Sequence, residues 1–502
     1  MIDPPVMAMK HLLNKTTQYL LGIAWILWAK SPCWAQSGPE VQVWLTSHAQ
    51  QTLAQQPAVH FGPGTGKSRV KIAVSDAITY QTVDGFGAAL TDASAWLLYT
   101  QMSATQRREV LESLFSTKSG IGISVVRLPI GASDFSLKPY TYNDAPKGKS
   151  DPKLQRFSIQ RDQQYLLPLL KEIRQIQPHL KIVASPWSAP AWMKKPRRLN
   201  GGKLQRRYFA IYAQYLLKYI QAYQAEGFPI DVLTLQNEPN YQTRDYPSMS
   251  MSAGDQVRLA QHLGKLLRQH QLNTAIFAWD HNWDQADKAL KILGNAKANP
   301  YIQGTAWHAY AGQPTAQSRV HARFPDKKIY FTEITGTNAY TDFSHNLTWS
   351  MHYIFIGTMR NWGNATLYWN IILNNRNGPH IAPKTSRPEE QLRGLVQWHE
   401  KRHTLAYQVE YYAMGHLSRW VQPGARRIYS NTLVKNRIKH NREPPTGGGN
   451  VESVAFINPD GSKVLVVLNP SWRHTRRFEV VWQNQHFSYT LGKESVVTMV
   501  WR

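Results

Sequence analysis

From Val83 onward, short runs rich in apolar and β-branched residues alternate with stretches in which apolar residues recur every three or four positions, which is the pattern of parallel β/α units. Leu166, Leu170, Ile173 and Ile176 stand at helical spacing in one stretch. Phe209, Tyr212, Leu216, Ile220 and Tyr223 do so in another, stopped by Gly227 and Pro229, and Val257, Ala260, Leu263 and Leu267 in a third. Each stretch predicts a helix that buries one stripe against a sheet. Between the helices lie eight strand candidates: VDGFGAAL from Val83, ISVVRLPI from Ile123, KIVASPW from Lys181, VLTLQNEP from Val232, AIFAWDHN from Ala275, GTAWHAY from Gly304, KIYFTEIT from Lys328 and ATLYWNIIL from Ala365. Eight such strands predict an α/β fold, a closed (β/α)8 TIM barrel over residues 83–421. An open doubly wound sheet is the alternative, and no glycine-rich dinucleotide fingerprint supports it.

Outside that span the period changes. After about Val421, SVAFINPDGSKVLVVLNPSW, FEVVWQ and SVVTMVW read as short strands, with Pro459-Asp460-Gly461 as a turn between two of them. Val41 to Leu45 and Val70 to Val74 are strand-like too, but so few strands cannot form a stable sheet alone. Residues 36–82 and 422–502 are therefore expected to form one small antiparallel β-sandwich domain from both chain ends. At the very start, Lys10 and Lys15 precede an apolar run from Tyr19 to Ala29, followed by Pro32, Cys33 and Ala35. This predicts a signal peptide over residues 1–35 and a secreted or periplasmic protein. The run is well short of the roughly 20 residues of a membrane-spanning helix. Cys33, the single cysteine, falls in the leader, so the mature chain would hold no thiol for a disulfide, a metal or a nucleophile.

A length of 502 residues with 42% hydrophobic and 11% aromatic content suits one large barrel and a smaller companion, and excludes disorder as the main theme. The net charge of +26 fits general solubility, with room for weak association with anionic surfaces. Lysines and arginines are scattered, Lys194, Lys195, Arg197 and Arg198 forming the main cluster. No nucleic-acid motif accompanies them, so no nucleic-acid partner is expected.

Barrel enzymes carry their chemistry at the C-terminal ends of strands. Here Arg127 ends the second run, Trp187 the third, Asn237 and Glu238 the fourth, His308 and Tyr310 the sixth, Glu333 the seventh, and Trp369 with Asn370 the eighth. Pro239 removes a backbone donor directly after Glu238 and stops that ladder. A buried carboxylate without a role is costly, whereas a pair across a sugar site is what glycoside cleavage requires. Two glutamates at the ends of strands four and seven, with aromatic strand ends between them, point to that chemistry. Trp187 and Trp369 offer flat apolar faces to a sugar ring. No second His or Cys stands at metal-ligand spacing near His308, so hydrogen bonding is its expected role, and no metal or cofactor is expected.

Together these residues resemble glycoside hydrolase family 30, the family of the glucosylceramidases. The matching segments are VDGFGAALTDASA, VVRLPIGASDFSLKPYTYND, VASPWSAPAWMK, LTLQNEP, AWHAY, FTEITG, YWNIILN and EYYAMGHLSRWVQPGARRI, in family order. The resemblance implies retaining hydrolysis of β-glucosidic bonds, with Glu238 as acid/base and Glu333 as nucleophile. It implies that Asn237 bonds the sugar 2-hydroxyl, and that Arg127, Asp134, Trp187, His308, Tyr310 and Trp369 line the glycone pocket. The charge of Glu333 is expected to keep Glu238 protonated. After strand eight, where the family often runs Gly-Gly-Pro-Asn, this chain has Asn377-Gly378-Pro379-His380 and a basic stretch to His403, expected to border the mouth. The leading substrate expectation is a glucosylceramide-like β-glucoside, and the alternative is a β-1,6-glucan. A non-catalytic carbohydrate-binding protein and a basic membrane-surface or nucleic-acid binder are the competing classes.

Overall fold

Eight parallel strands close into a barrel in the computed structural model, which describes residues 38–48, 51–64, 66, 68–339, 341–382, 391–431 and 451–502. The expected signal peptide lies outside these residues. The barrel strands are β1 (Gly85–Ala89), β2 (Val125–Ile130), β3 (Lys181–Pro186), β4 (Val232–Thr234), β5 (Ala275–Asn282), β6 (Ile302–His308), β7 (Lys328–Glu333) and β8 (Ala365–Asn370). Each pairs in parallel with the next, and β8 returns to β1 through Ala365 opposite Gly85. The closed barrel, not the open sheet, is the architecture.

These strands are apolar almost throughout because both faces are covered. Val125, Val183, Val232, Phe277, Ala306, Tyr330, Ala365 and Leu367 form a cluster separate from the main helix-packed core. Its members come from seven of the eight strands, as expected of the packed interior of a barrel. The remaining strand, β1, carries Gly87, where a Cβ would meet the Val125 carbonyl oxygen at 1.7 Å, so only glycine permits that approach. The three helices expected from spacing are present as Leu166–Ile176, Phe209–Ala225 and Ala253–Gln269. The last opens with a capping box of Ser252 and Asp255.

The second layered unit uses both chain ends. Strand Glu40–Thr46 lies between Ala54–His60 and Ser495–Trp501, and the latter pairs in turn with Lys463–Asn469. The strand expected over Val70 to Val74 runs on to Thr82 and serves two ladders. Most of its length pairs antiparallel with Arg426–Ser430, while Lys71 to Ala73 pair in parallel with Glu479 to Val481. Among the described residues the sandwich is thus antiparallel except at this one ladder, where a twelve-residue strand is long enough to meet two partners. Val41, Val43, Ile72, Phe478, Val497 and Trp501 are among its core residues.

The barrel helix Val409–Ser418 docks against this sheet through His416. Its two ring nitrogens face Thr46 Oγ1 and Thr498 Oγ1, each at 2.8 Å, so one histidine touches the first and the last strand described. Burial pulls the His416 imidazole down to about 3.

Candidate active site

The regular ladder of β4 ends at Thr234, four residues before the Glu238 that was expected to close it. Neighbouring strands still hold the backbone beyond it: Leu235 N donates to Phe277 O, Asn237 N to Pro186 O and Glu238 N to Asp280 O, at 3.2, 2.9 and 3.0 Å. Glu238 has φ +44°, a left-handed conformation rare for a residue with a Cβ, and this turns the chain out of the ladder before Pro239. Glu333 is the last residue of β7 and His308 the last of β6. Trp187 follows β3 directly, Trp369 and Asn370 close β8, and Asp134 lies in the loop after β2. Arg127 is the third residue of β2 and not its end, because the strand continues to Ile130. Its long side chain spans the difference from inside the barrel.

That guanidinium is fully buried and organises the site. Nη1 donates to Glu333 Oε2 at 2.5 Å, and Nη2 to Asn237 Oδ1 at 2.8 Å and Asp280 Oδ2 at 3.0 Å. Its carbon lies 4.9 Å from the ring centroid of Trp187 and 5.5 Å from that of Trp369. Those two indoles stack with centroids 5.0 Å apart. The Tyr310 hydroxyl donates to the other oxygen of Glu333 at 3.0 Å. His308 sits between the carboxyl groups: Nδ1 is 3.3 Å from Glu238 Oε1 and 3.7 Å from Glu333 Oε1, and Nε2 is 3.1 Å from Asp280 Oδ1. The two glutamates thus face one imidazole nitrogen, which bounds their Oε1 separation at about 7 Å. The fold brings Arg127, Asn237, Glu238, His308, Tyr310 and Glu333 into one connected cluster, walled by Trp187 and Trp369.

The description "Glycosyl hydrolase family 30 TIM-barrel domain" matches residues 83–421, and "Glycosyl hydrolase family 30 beta sandwich domain" matches 424–499. The chain belongs to glycoside hydrolase family 30. It is an O-glycosyl hydrolase. It is 33% identical over 440 residues to the endo-1,6-beta-D-glucanase neg1 of Aspergillus fumigatus, covering 84% of this chain and 85% of that relative. To putative glucosylceramidase 4 of Caenorhabditis elegans it is 28% identical over 495 residues, covering 92% and 88%. Its fold is similar to the solved endo-beta1,6-glucanase BT3312, with a TM-score of 0.80, 31% identity, and 92% and 99% of the two chains covered.

Two residues of this family 30 hydrolase that the sequence reading passed over are central. Asp280, in β5, is fully buried and accepts hydrogen bonds from Ser185, Thr234 and Thr332 at 2.6–2.7 Å besides those of Arg127 and His308. Burial alone would raise its carboxyl, but the charge of Arg127 and the contacts of His308 and Thr234 hold it far below the usual carboxylate range. The signal was present, since AIFAWDHN ends in polar residues like its neighbours. The other residue is His281, beside it. Its Nδ1 lies 3.6 Å from Glu238 Oε1. Glu238, His281 and His308 present ligand atoms within 4.8 Å of one another, a group that could hold a metal ion. Spacing near His308 did not show this because the partners come from adjacent strands.

The electrostatics differ from expectation in one respect. Burial opposes a charge on His308, but Glu333, Asp280 and Glu238 outweigh it and push the imidazole up to about 9. Burial would also raise Glu238, yet the hydrogen bond and charge of His308 win and lower it. At Glu333 burial prevails over His308 and Arg127, and its carboxyl is raised. The surroundings of Glu238 thus favour its ionised form through His308, whereas the charge of Glu333 alone would favour the protonated one. Asp134 is pushed up to about 7, first by burial and then by the charge of Glu333. Of the stretch expected to border the mouth, Ile381 N donates to Asp134 O at 2.9 Å and His380 meets the ring of Phe135, while residues 383–390 lie outside those described. Tyr246, in the loop after β4, packs against the same Phe135, Trp187 and Trp369 cluster.

Proposed function

We propose that this family 30 hydrolase cleaves β-1,6-glucan by double displacement, with Glu333 as nucleophile and Glu238 as acid/base. The observation that carries the mechanism is the unequal surroundings of the two carboxyl groups. Each oxygen of Glu333 accepts from a fixed donor, Arg127 or Tyr310, which aims it as a nucleophile. Glu238 instead faces His308 Nδ1 at 3.3 Å, an imidazole that the neighbouring carboxylates push up to about 9. In the first step a Glu333 oxygen bonds the anomeric carbon as the glycosidic bond breaks, and the proton held between Glu238 and His308 passes to the leaving oxygen. In the second, water attacks the glycosyl-enzyme, Glu238 takes its proton and the Glu333 carboxylate is released. The bound of about 7 Å on the carboxyl pair accommodates the roughly 5–5.5 Å that this mechanism needs. Asn237, held to Arg127, is placed beside the nucleophile, where contacts to a sugar hydroxyl strengthen in the transition state.

The substrate reading rests on similarity. Three endo-1,6-β-glucanases share 33% identity with this chain, whereas the putative and lysosomal glucosylceramidases share 26–28%. We also propose export, on the basic and apolar leader alone. Purified protein should release β-1,6-linked gluco-oligosaccharides from a linear β-1,6-glucan, with proton NMR showing the β-anomer first. Faster turnover of glucosylceramide than of the glucan would replace the substrate, and α-anomer formed first would replace the mechanism.

A further inference from the structure

Among the described residues, one group of three side chains has the geometry of a metal site, and it lies on three adjacent strands of the barrel mouth. His281 is the penultimate residue of β5, His308 the last of β6, and Glu238 follows β4. Both imidazoles aim Nδ1 at the same oxygen, Glu238 Oε1, from 3.6 and 3.3 Å. Zinc bonds of about 2.0–2.1 Å in a tetrahedron place neighbouring ligand atoms about 3.3–3.4 Å apart, close to both distances.

Two further features separate this group from an ordinary hydrogen-bonded cluster. The side chain of His281 is more than nine-tenths buried, yet its Nδ1 has no hydrogen-bond partner. Buried polar atoms normally have one, so the orphan marks a ligand face directed at Glu238. His308 has its other nitrogen bonded to Asp280 Oδ1 at 3.1 Å. Metal-bound histidines characteristically present that far-side carboxylate, which fixes the ring, and an ion at Nδ1 would displace the proton that faces Glu238. Asp280 is fixed in turn by Ser185, Thr234 and Thr332.

We propose that Glu238, His281 and His308 form an inhibitory site for a divalent transition-metal ion of the zinc or copper class, with water completing the coordination. Two imidazoles and one carboxylate suit such ions and not magnesium or calcium, which require mostly oxygen ligands. An ion bound there occupies the oxygen that serves the leaving group, so hydrolysis stops while the fold is unchanged. The binding rests on geometry alone; the inhibition also rests on the assignment of Glu238 as acid/base.

Zinc is titrated calorimetrically into chelator-treated full-length protein, and β-1,6-glucan hydrolysis is followed in the same buffer. One equivalent should bind, activity should fall at least tenfold at saturation and return with EDTA, and magnesium should do neither. His281→Gln, compared with its own metal-free rate, should weaken binding at least tenfold with an unchanged melting curve. Cobalt(II) on the native chain gives a readout that needs no variant: four-coordination produces intense visible absorption bands. No stoichiometric binding, equal binding by His281→Gln, or weak six-coordinate cobalt bands would each overturn the site. Stoichiometric binding that is lost in His281→Gln but leaves hydrolysis intact would uphold the site and overturn the acid/base role of Glu238.

Discussion

Truncating Arg127 leaves two buried carboxylates, Asp280 and Glu333, with His308, among the described residues, as the one remaining cationic group beside both. Breaking a buried ion pair by removing one partner costs about 3–5 kcal/mol. Arg127→Ala should therefore lower unfolding free energy in a denaturant titration by about that amount and abolish turnover. Arg127→Lys should recover part of the stability but little of the rate, since one ammonium cannot span Glu333, Asn237 and Asp280. His308 leads to a prediction in pH. Its imidazole is raised to about 9 by Glu333, Asp280 and Glu238 against the opposing effect of burial, so the proton needed by the leaving oxygen is lost above that pH. The rate should fall on the alkaline side with a midpoint near 9, and His308→Gln should lose that limb. The same shift stabilises the fold. The contribution is complete below the unfolded value of about 6.5 and is lost as pH rises through about 9. At this scale the sequence revealed the polar residues near the strand ends, because a polar residue that closes an apolar run stands out. It did not reveal that Asp280 and His281 belong with them, because that depends on which strands stand side by side.

The loops that follow the strands are tied by a lysine. Lys194 belongs to the basic cluster in sequence but is fully buried in the fold, unlike exposed Lys195, Arg197 and Arg198. Its ammonium donates to Ser188 Oγ, Leu199 O and Ser248 O, joining the segment after β3 to the loop after β4 that carries Tyr246. Burial, followed by repulsion from Arg198, pulls it down to about 7. Lys194→Met should remove three hydrogen bonds, leave Ser248 O without its side-chain donor and loosen the rim while sparing Glu238 and Glu333. Michaelis–Menten analysis on gluco-oligosaccharides should show KM raised severalfold and kcat changed less. The elements themselves were largely legible, since eight apolar runs alternating with amphipathic stretches are hard to read otherwise. Their limits were less so. Asn237 and Glu238 look like strand residues in sequence, but the left-handed turn at Glu238 is a backbone choice that leaves no mark in the hydrophobic pattern.

For the whole molecule, the contact between barrel and sandwich carries its own pH dependence. His416 is buried as the neutral ring between Thr46 and Thr498, with its imidazole lowered to about 3 by burial. In the unfolded chain it takes up a proton below about 6.5, so stability is lost as pH falls from about 6.5 towards about 3. His416→Gln should move the acid-unfolding midpoint, followed by circular dichroism, to lower pH, although stability at neutral pH falls with the packing. The involvement of both chain ends was readable from the shortage of strands before Val83; the single parallel ladder at Lys71 to Ala73 was not, since strand direction is set by chain path. The pairing of Glu40–Thr46 with Ser495–Trp501 also sets an order in time. Synthesis runs from the N-terminus, so the central partner of the first strand is made only after every strand of the barrel. Until then Glu40–Thr46 has one of its two neighbours, and the sheet stays open while the barrel between them is already complete in sequence. A ribosome that stops before Ser495 leaves an intact set of barrel strands and an edge that cannot close.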